Sequence, residues 1–311
     1  MAMQNPVDIE KHGEIIQAAP LPDGVVVVIR DVSSLAGGTG CQYQEVVTIR
    51  SGQTEKYSLP PGIGCVSLLS TQDKIYAMCR PGAGKDGGRT LVISGGLAKW
   101  YDAFGALGIY EKENSVRYRV PQSNKEYVLF PSPLVHLRKR GEFVVAASNY
   151  AAAIIRTNGE EPPQHLEIPR IASIDIAYNG ITAMLLDSDP NGKSTRLNVN
   201  GVTITIPSVP GARRIEFIPP DRVIIFCPSC VFLVEKGRLV GKVDGVIWAS
   251  HSPEFDSCVL VSTKSNEKGE LEYRVFHFPF SGKNLFNMLK WEVSGQAQPD
   301  MTPQVEEVPS F

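Results

Sequence analysis

The strands that this chain can form are apolar on both faces, yet the links between them are too short for anything but hairpins. Val25-Val-Val-Val-Ile29, Val144-Val-Ala-Ala147, Val223-Ile-Ile-Phe226, Val231-Phe-Leu-Val234 and Cys258-Val-Leu-Val261 are short, β-branched and bounded by turn residues. Asn-Gly pairs begin at Asn158, Asn179, Asn191 and Asn200, and both residues of such a pair accept the positive φ of a tight hairpin. Hairpins make antiparallel sheets, and an antiparallel sheet with one wet face reads as alternating, not continuous, apolar residues. Both conditions are met when many small antiparallel sheets are stacked face to face, each covered by two neighbours.

A β-propeller is such an arrangement, and the chain repeats at a propeller's rhythm. Units of strand, turn and apolar strand begin at Gly13, Gly64, Gly105, Pro133, Ile171, Arg214 and Val246, 28 to 51 residues apart. Most continue into a third strand, such as "AAAIIRTNG" or "VFLVEKGRL", and several into a fourth, such as "QHLEIP" or "TITIP". The count predicts an all-β propeller of seven mostly four-stranded blades over residues 13–295. The unit from Gly105 is short, so six or eight blades also fit the spacing. Residues 1–12 read as an N-terminal extension. Residues 296–311, polar, acidic and proline-containing, read as a flexible tail. "KWEVSG" from Lys290 reads as a strand that pairs near "EIIQAA" from Glu14 to latch the ring, and "NLFNML" as a turn or two of helix.

His251-Ser-Pro-Glu254 resembles the turn after the first strand in WD-repeat propellers, although the Gly-His and Trp-Asp pairs of that repeat do not occur. The resemblance is to the fold, and it implies a platform rather than an activity.

Composition narrows the functions. The formal net charge is -2 and the pI about 6.2, with none of the basic excess of a protein that grips phosphate backbones, so no nucleic-acid partner is expected. The first residues lack the basic start and apolar run of a secretory signal, and no stretch reaches the roughly 20 apolar residues of a membrane helix. The expectation is a soluble, cytoplasmic protein with no membrane partner.

Few residues suggest chemistry. Cys227-Pro-Ser-Cys230 sits between two apolar strands. A zinc site would need a second pair or histidines at workable spacing, and a redox motif would open a helix. The spacing instead fits a hairpin turn, with Cys227 and Cys230 close enough for a disulfide in a compartment that keeps one. "GAGKDGG" from Gly82 lacks the Ser or Thr of a phosphate loop and reads as a flexible hairpin loop. "HLRKRG" from His136 reads as a solvated turn between first and second strands. First strands border a propeller's channel, and four of them carry His136, Asp175, Glu216 and His251. Converging, these are the ligand types of a hydrolytic metal centre.

Three functions are therefore weighed. The favoured one is a non-enzymatic platform without cofactor or metal, whose partner is another protein or a second copy of the chain. The second is a hydrolase or lyase with a metal held by the four channel residues. The third is a carbohydrate- or small-ligand-binding propeller using Trp100, Tyr101, Tyr150 and Trp248. For the platform, the second-to-third strand connections should share one face and carry the contacts: Arg80, Lys85, Asp86, Asn149, Tyr150, Asp187, Asp189 and Lys193.

Overall fold

Seven antiparallel sheets follow one another along the chain in the computed structural model, which describes residues 7–8, 13–31, 44–50, 53–81, 88–102, 107–121, 123, 125–157, 161–168, 170–186, 193–252, 254–265, 267, 271–279 and 281–294. The first sheet holds β2 (Gly13–Leu21), β3 (Gly24–Asp31), β4 (Gln44–Arg50) and β5 (Gln53–Ser58). The second holds β6 (Ile63–Ser70), β7 (Ile75–Pro81), β8 (Arg89–Ser94) and β9 (Leu97–Asp102). The third has three strands among the described residues: β10 (Ile109–Lys112), β11 (Ser115–Arg119) and β12 (Glu126–Pro131). The fourth is β13 (His136–Arg140), β14 (Phe143–Ala147), β15 (Ala151–Arg156) and β16 (Gln164–Glu167). The fifth is β17 (Ile171–Ile176), β18 (Thr182–Leu186), β19 (Ser194–Val199) and β20 (Val202–Pro207). The sixth is β21 (Arg214–Ile218), β22 (Arg222–Phe226), β23 (Cys230–Glu235) and β24 (Arg238–Asp244). The seventh is β25 (Val246–Ser252), β26 (Ser257–Ser265) and β27 (Leu271–Phe278), completed by β1 (Val7–Asp8) from the other end of the chain. Together they form a seven-bladed β-propeller.

Burial follows the logic that the apolar runs suggested. Every residue of β18 is buried, as are four of five in β14 and β22, because second strands are covered by blades on both sides. Outer strands behave differently: in β5 five of six residues are exposed. The core is thus shared among the blade interfaces. One cluster joins Val25 and Val27 of the first blade to Trp248, Val259 and Val261 of the seventh, so the ring closes on an apolar seam. Another spans the second, third and fourth blades through Met78, Tyr118, Leu137 and Val144. Turn chemistry is as expected at Asn200-Gly201, where both residues have positive φ (52° and 81°). Lys236-Gly237 and Glu113-Asn114 make the same choice without an Asn-Gly signature.

Two features of ring closure differ from the sequence expectation. Val7 and Asp8, expected within an extension, pair antiparallel with Val275 and Arg274 of β27. Lys290–Ser294, expected as a latching strand, is the end of a helix, α1 (Gly282–Ser294). The alternation in "KWEVSG" mimics a strand, but Leu285, Phe286 and Leu289 put one helical face against Ile218, Val243 and Leu260 of the last two blades. Lys290 Nζ donates to Glu235 Oε2 at 2.7 Å and fastens the outer side. Fully burying Phe286 and Leu289 contributes about 1.5–3 kcal/mol each.

The third blade is recessed. The first strands pack side by side in the order β25, β2, β6, β13, β17, β21, so β6 touches β13 directly and β10 stands outside that sequence.

Candidate functional site: the central channel

First strands meet their neighbours through polar side chains that reach sideways onto the next backbone. Gln17 of β2 donates to Cys65 O (2.9 Å) and accepts from Leu68 N (3.0 Å) on β6. Ser173 and Asp175 of β17 accept from Ile215 N (3.2 Å) and Phe217 N (2.7 Å) on β21. The two pairs advance together, so these strands run the same way. Glu216 of β21 accepts from His251 N (3.0 Å) on β25, and its Oε1 lies 2.8 Å from His251 Nδ1. Trp248 of β25 returns the pattern to the first blade by donating to Ala18 O at 2.8 Å. A first strand has only one hydrogen-bonded neighbour in its own sheet, and these bonds occupy backbone groups on its other edge.

Three arginines enter the same space. Arg140 Nη2 donates to Glu216 Oε1 at 2.8 Å and stands 3.8 Å from Asp175 Oδ2. Arg138 Nη1 crosses to Ser67 Oγ of β6 at 3.1 Å. The Arg214 guanidinium stacks on Trp248, 3.4 Å above the ring centre. Burial works against ionisation of Glu216, but the Arg140 charge and then the His251 contact outweigh it and hold the carboxyl at about 2. Asp175 goes the other way: its burial pushes the pKa above the ordinary value despite Arg140. Burial, then the charges of Arg138 and Arg214, bring His136 down to about 4.

The four residues expected to converge do so only in part. Asp175, Glu216 and His251 are linked through Arg140 and one another, whereas His136 lies at the far end of β13 from Arg140, beside Arg138 and Arg214. Among the described residues no group of three or more His, Cys, Asp or Glu has the geometry to hold a metal. Asp175 and Glu216 are instead engaged by backbone N–H groups of the next blade. The basic run is also corrected: His136–Arg140 is the first strand β13, not a solvated turn. Every second residue, His136, Arg138 and Arg140, shares a side of that strand.

Other expectations can be placed. Trp248 is buried, at 8% exposure, and is no exposed aromatic; Trp100 is half-buried, while Tyr101 and Tyr150 are exposed. Arg80 is tied to Leu134 O at 3.2 Å and stands 3.9 Å from Glu111. Lys193 is exposed. Lys85, Asp86, Asp187 and Asp189, the "GAGKDG" stretch of residues 82–87 and residues 296–311 lie outside the described residues. Cys227 and Cys230 are buried free thiols at the ends of a tight turn, where Cys227 N donates to Cys230 O at 2.9 Å. Burial, then the neighbouring Cys230, pushes the Cys227 thiol up to about 11, away from a reactive thiolate. Cys65 and Cys79, which look single in the sequence, face each other across β6 and β7. Their positions either side of one hairpin were the available signal.

A cavity of about 140 Å³ opens at the first-to-second-turn end of the channel, lined by Arg140, Lys139, Tyr178, His251 and Glu254 with Leu68 below. The Tyr178 phenol there is pushed up to about 12 by burial and then by Glu254.

Sheet order, ring and channel define the class: this chain is a seven-bladed β-propeller. No family profile and no curated protein matches it. Among solved structures it is similar to Hsv2 of Kluyveromyces lactis, at 11% identity and TM-score 0.38 over 81% of this chain and 72% of that one. A second structure of that protein, described with a complete loop 6CD, gives 9% identity and TM-score 0.38 over 86% and 98%. A protein of unknown function from Bacteroides caccae gives 12% and 0.42 over 74% and 85%. Likeness at this level says nothing of activity or partner. Among the described residues no helix is long and apolar enough to cross a membrane.

Proposed function

We propose that this propeller is a non-enzymatic platform that binds another protein through the face where second strands turn into third strands. The observation that carries this reading is Tyr150. It is 66% exposed on the three-residue connection, Ser148 to Tyr150, between β14 and β15. Ser148 Oγ accepts from Tyr150 N (3.2 Å) and Ala151 N (3.1 Å), and Asn149 O accepts from Ile171 N of the next blade at 2.7 Å. An aromatic side chain displayed on a turn whose backbone is already hydrogen-bonded loses little entropy on docking, and Tyr is enriched among residues that dominate interfaces. Exposed Arg213, on the turn into β21, belongs to the same face. The acids best suited to proton transfer, Asp175 and Glu216, are occupied in holding blades together, which favours binding over chemistry.

The test is site-specific photo-crosslinking in the native cell. A benzophenone side chain at position 150 is expected to give a discrete crosslinked protein, and the same group at Asp73, on the opposite face, none. Crosslinks from position 73 alone, or from neither, would reject this face. The cavity beside Tyr178 favours a second reading, a small polar ligand at the opposite mouth. Tyr178→Phe with Lys139→Met would then abolish ligand binding and leave the position 150 crosslink unchanged.

A further inference from the structure

The channel holds more positive charge than its own acids answer. Arg140 is satisfied by Glu216 and approached by Asp175. Arg214 has no hydrogen bond or carboxylate partner among the described residues, and its Nε is sealed from solvent. Arg138 spends Nη1 on Ser67 Oγ and Leu137 O, while its Nε is likewise sealed and unpartnered. His136 Nε2, beside them, is a third buried nitrogen without a partner. Buried polar atoms are nearly always paired, so three orphaned nitrogens in one place are a specific anomaly. Two neighbouring guanidinium groups also repel; burial and then the Arg138 charge push the Arg214 pKa well below its ordinary value, although the charges of Glu216 and Asp175 pull the other way. Apolar replacements would remove that cost, and a bound anion would also remove it while satisfying the N–H groups.

The geometry favours the anion. The Arg214 guanidinium carbon stands 3.4 Å from the centre of the Trp248 ring, and a guanidinium over an aromatic face keeps its N–H edges free to donate. All three residues are half-buried, with the three unpartnered nitrogens turned away from solvent. The cluster lies at the start of β13 and β21, away from the cavity at the opposite mouth. We propose that Arg138 and Arg214, with His136 beside them, form a binding site for a small oxyanion of the phosphate or sulfate class inside the channel. Arg214 donates from its free edge, Arg138 from Nε and its second Nη, and His136 from Nε2 once protonated. The cluster opens on the same face as Tyr150 and Arg213, and its test reads ion binding alone, so it stands or falls apart from the protein-binding reading.

The full chain is titrated with inorganic phosphate, sulfate and O-phosphoserine against chloride at equal ionic strength. Melting temperature and Trp248 fluorescence are followed together. At least one of the three oxyanions is expected to raise the melting temperature and shift the emission beyond the chloride control. The one with the largest effect distinguishes a free inorganic ion from a phosphate ester. Arg214→Gln and Arg138→Gln are each expected to weaken that response about tenfold or more. In chloride alone Arg214→Gln should melt no lower than the parent, since Arg214 has no hydrogen-bond partner among the described residues, whereas Arg138→Gln also loses the bond to Ser67 and is read on its oxyanion response alone. No response beyond chloride, or an undiminished response in both variants, would overturn the site. So would an Arg214→Gln protein that melts well below the parent in chloride, because that arginine would then be structural.

Discussion

Replacing Glu216 by alanine tests whether the channel acids are clasps between blades. The substitution leaves Arg140 without its 2.8 Å partner and strips His251 N of its acceptor. Breaking a buried ion pair from one side costs about 3–5 kcal/mol, because the remaining charge is stranded. Against the effect of burial, the same contacts depress the pKa of Glu216. The carboxyl sits at about 2 in the folded protein against an ordinary 4.5. That depression is worth about 3 kcal/mol above pH 4.5, and the contribution fades as pH falls from 4.5 towards 2. At about 2 °C per kcal/mol for a chain of this size, Glu216→Ala should melt about 6–10 °C lower at pH 7. The deficit should shrink as the pH approaches 2. Arg140→Met alone should also be destabilising, and the double variant Glu216→Ala with Arg140→Met should lose less than the sum of the two, by about 2 kcal/mol. Calorimetry of the four proteins in a double-mutant cycle measures this directly. Additive losses, or a Glu216→Ala protein melting within 1 °C or so of the parent, would refute the clasp.

Other outcomes follow from the same geometry. Because His136 binds its proton at about 4 when folded rather than 6.5, its contribution to stability is complete above pH 6.5 and lost as pH falls towards 4; His136→Gln should flatten the denaturation midpoint across that window. Gly282→Ala puts a Cβ 2.7 Å from His251 Cδ2, so the melting temperature should fall although Ala is the better helix former. Phe286→Ala should cost about 3–5 kcal/mol in urea unfolding, as a ring with no exposure is removed from the seam between helix and blades. Deleting residues 1–12 should leave β27 an unpaired edge, seen as concentration-dependent association in sedimentation.

What the sequence showed, and what it hid, divides along physical lines. The blades were legible because burial on both faces forces continuous apolar strands, as in Val223–Phe226, and hairpins force turn residues between them. Ring closure was not. A two-residue strand at Val7–Asp8 has no periodicity to detect, and Trp-Glu-Val after Lys290 alternates like a strand while its helix is set by the burial of Leu285, Phe286 and Leu289. The channel was half legible. His136, Asp175, Glu216 and His251 were found as polar residues on first strands, but a metal centre requires side chains converging on a point, and these reach sideways onto neighbouring backbones. The arginines were hidden by being charged, since a basic run suggests solvent. Their spacing at every second position in "HLRKR" was the clue, as it matches the strand period.

The two-residue strand at the front of the chain also orders events in time. Val7 meets Val275, so the residues that complete the last blade are synthesised about 270 residues before their partner. At synthesis rates of about 5–20 residues per second, the nascent chain waits roughly 15–50 s with its ring open. During that interval six blades can assemble on their own neighbours, while the seam between Val25, Val27, Trp248 and Val259 stays unsealed. A longer apolar strand would spend that wait as a template for other chains. A pair of residues, one of them an aspartate, gives the growing protein a closing segment too short to be captured before its turn.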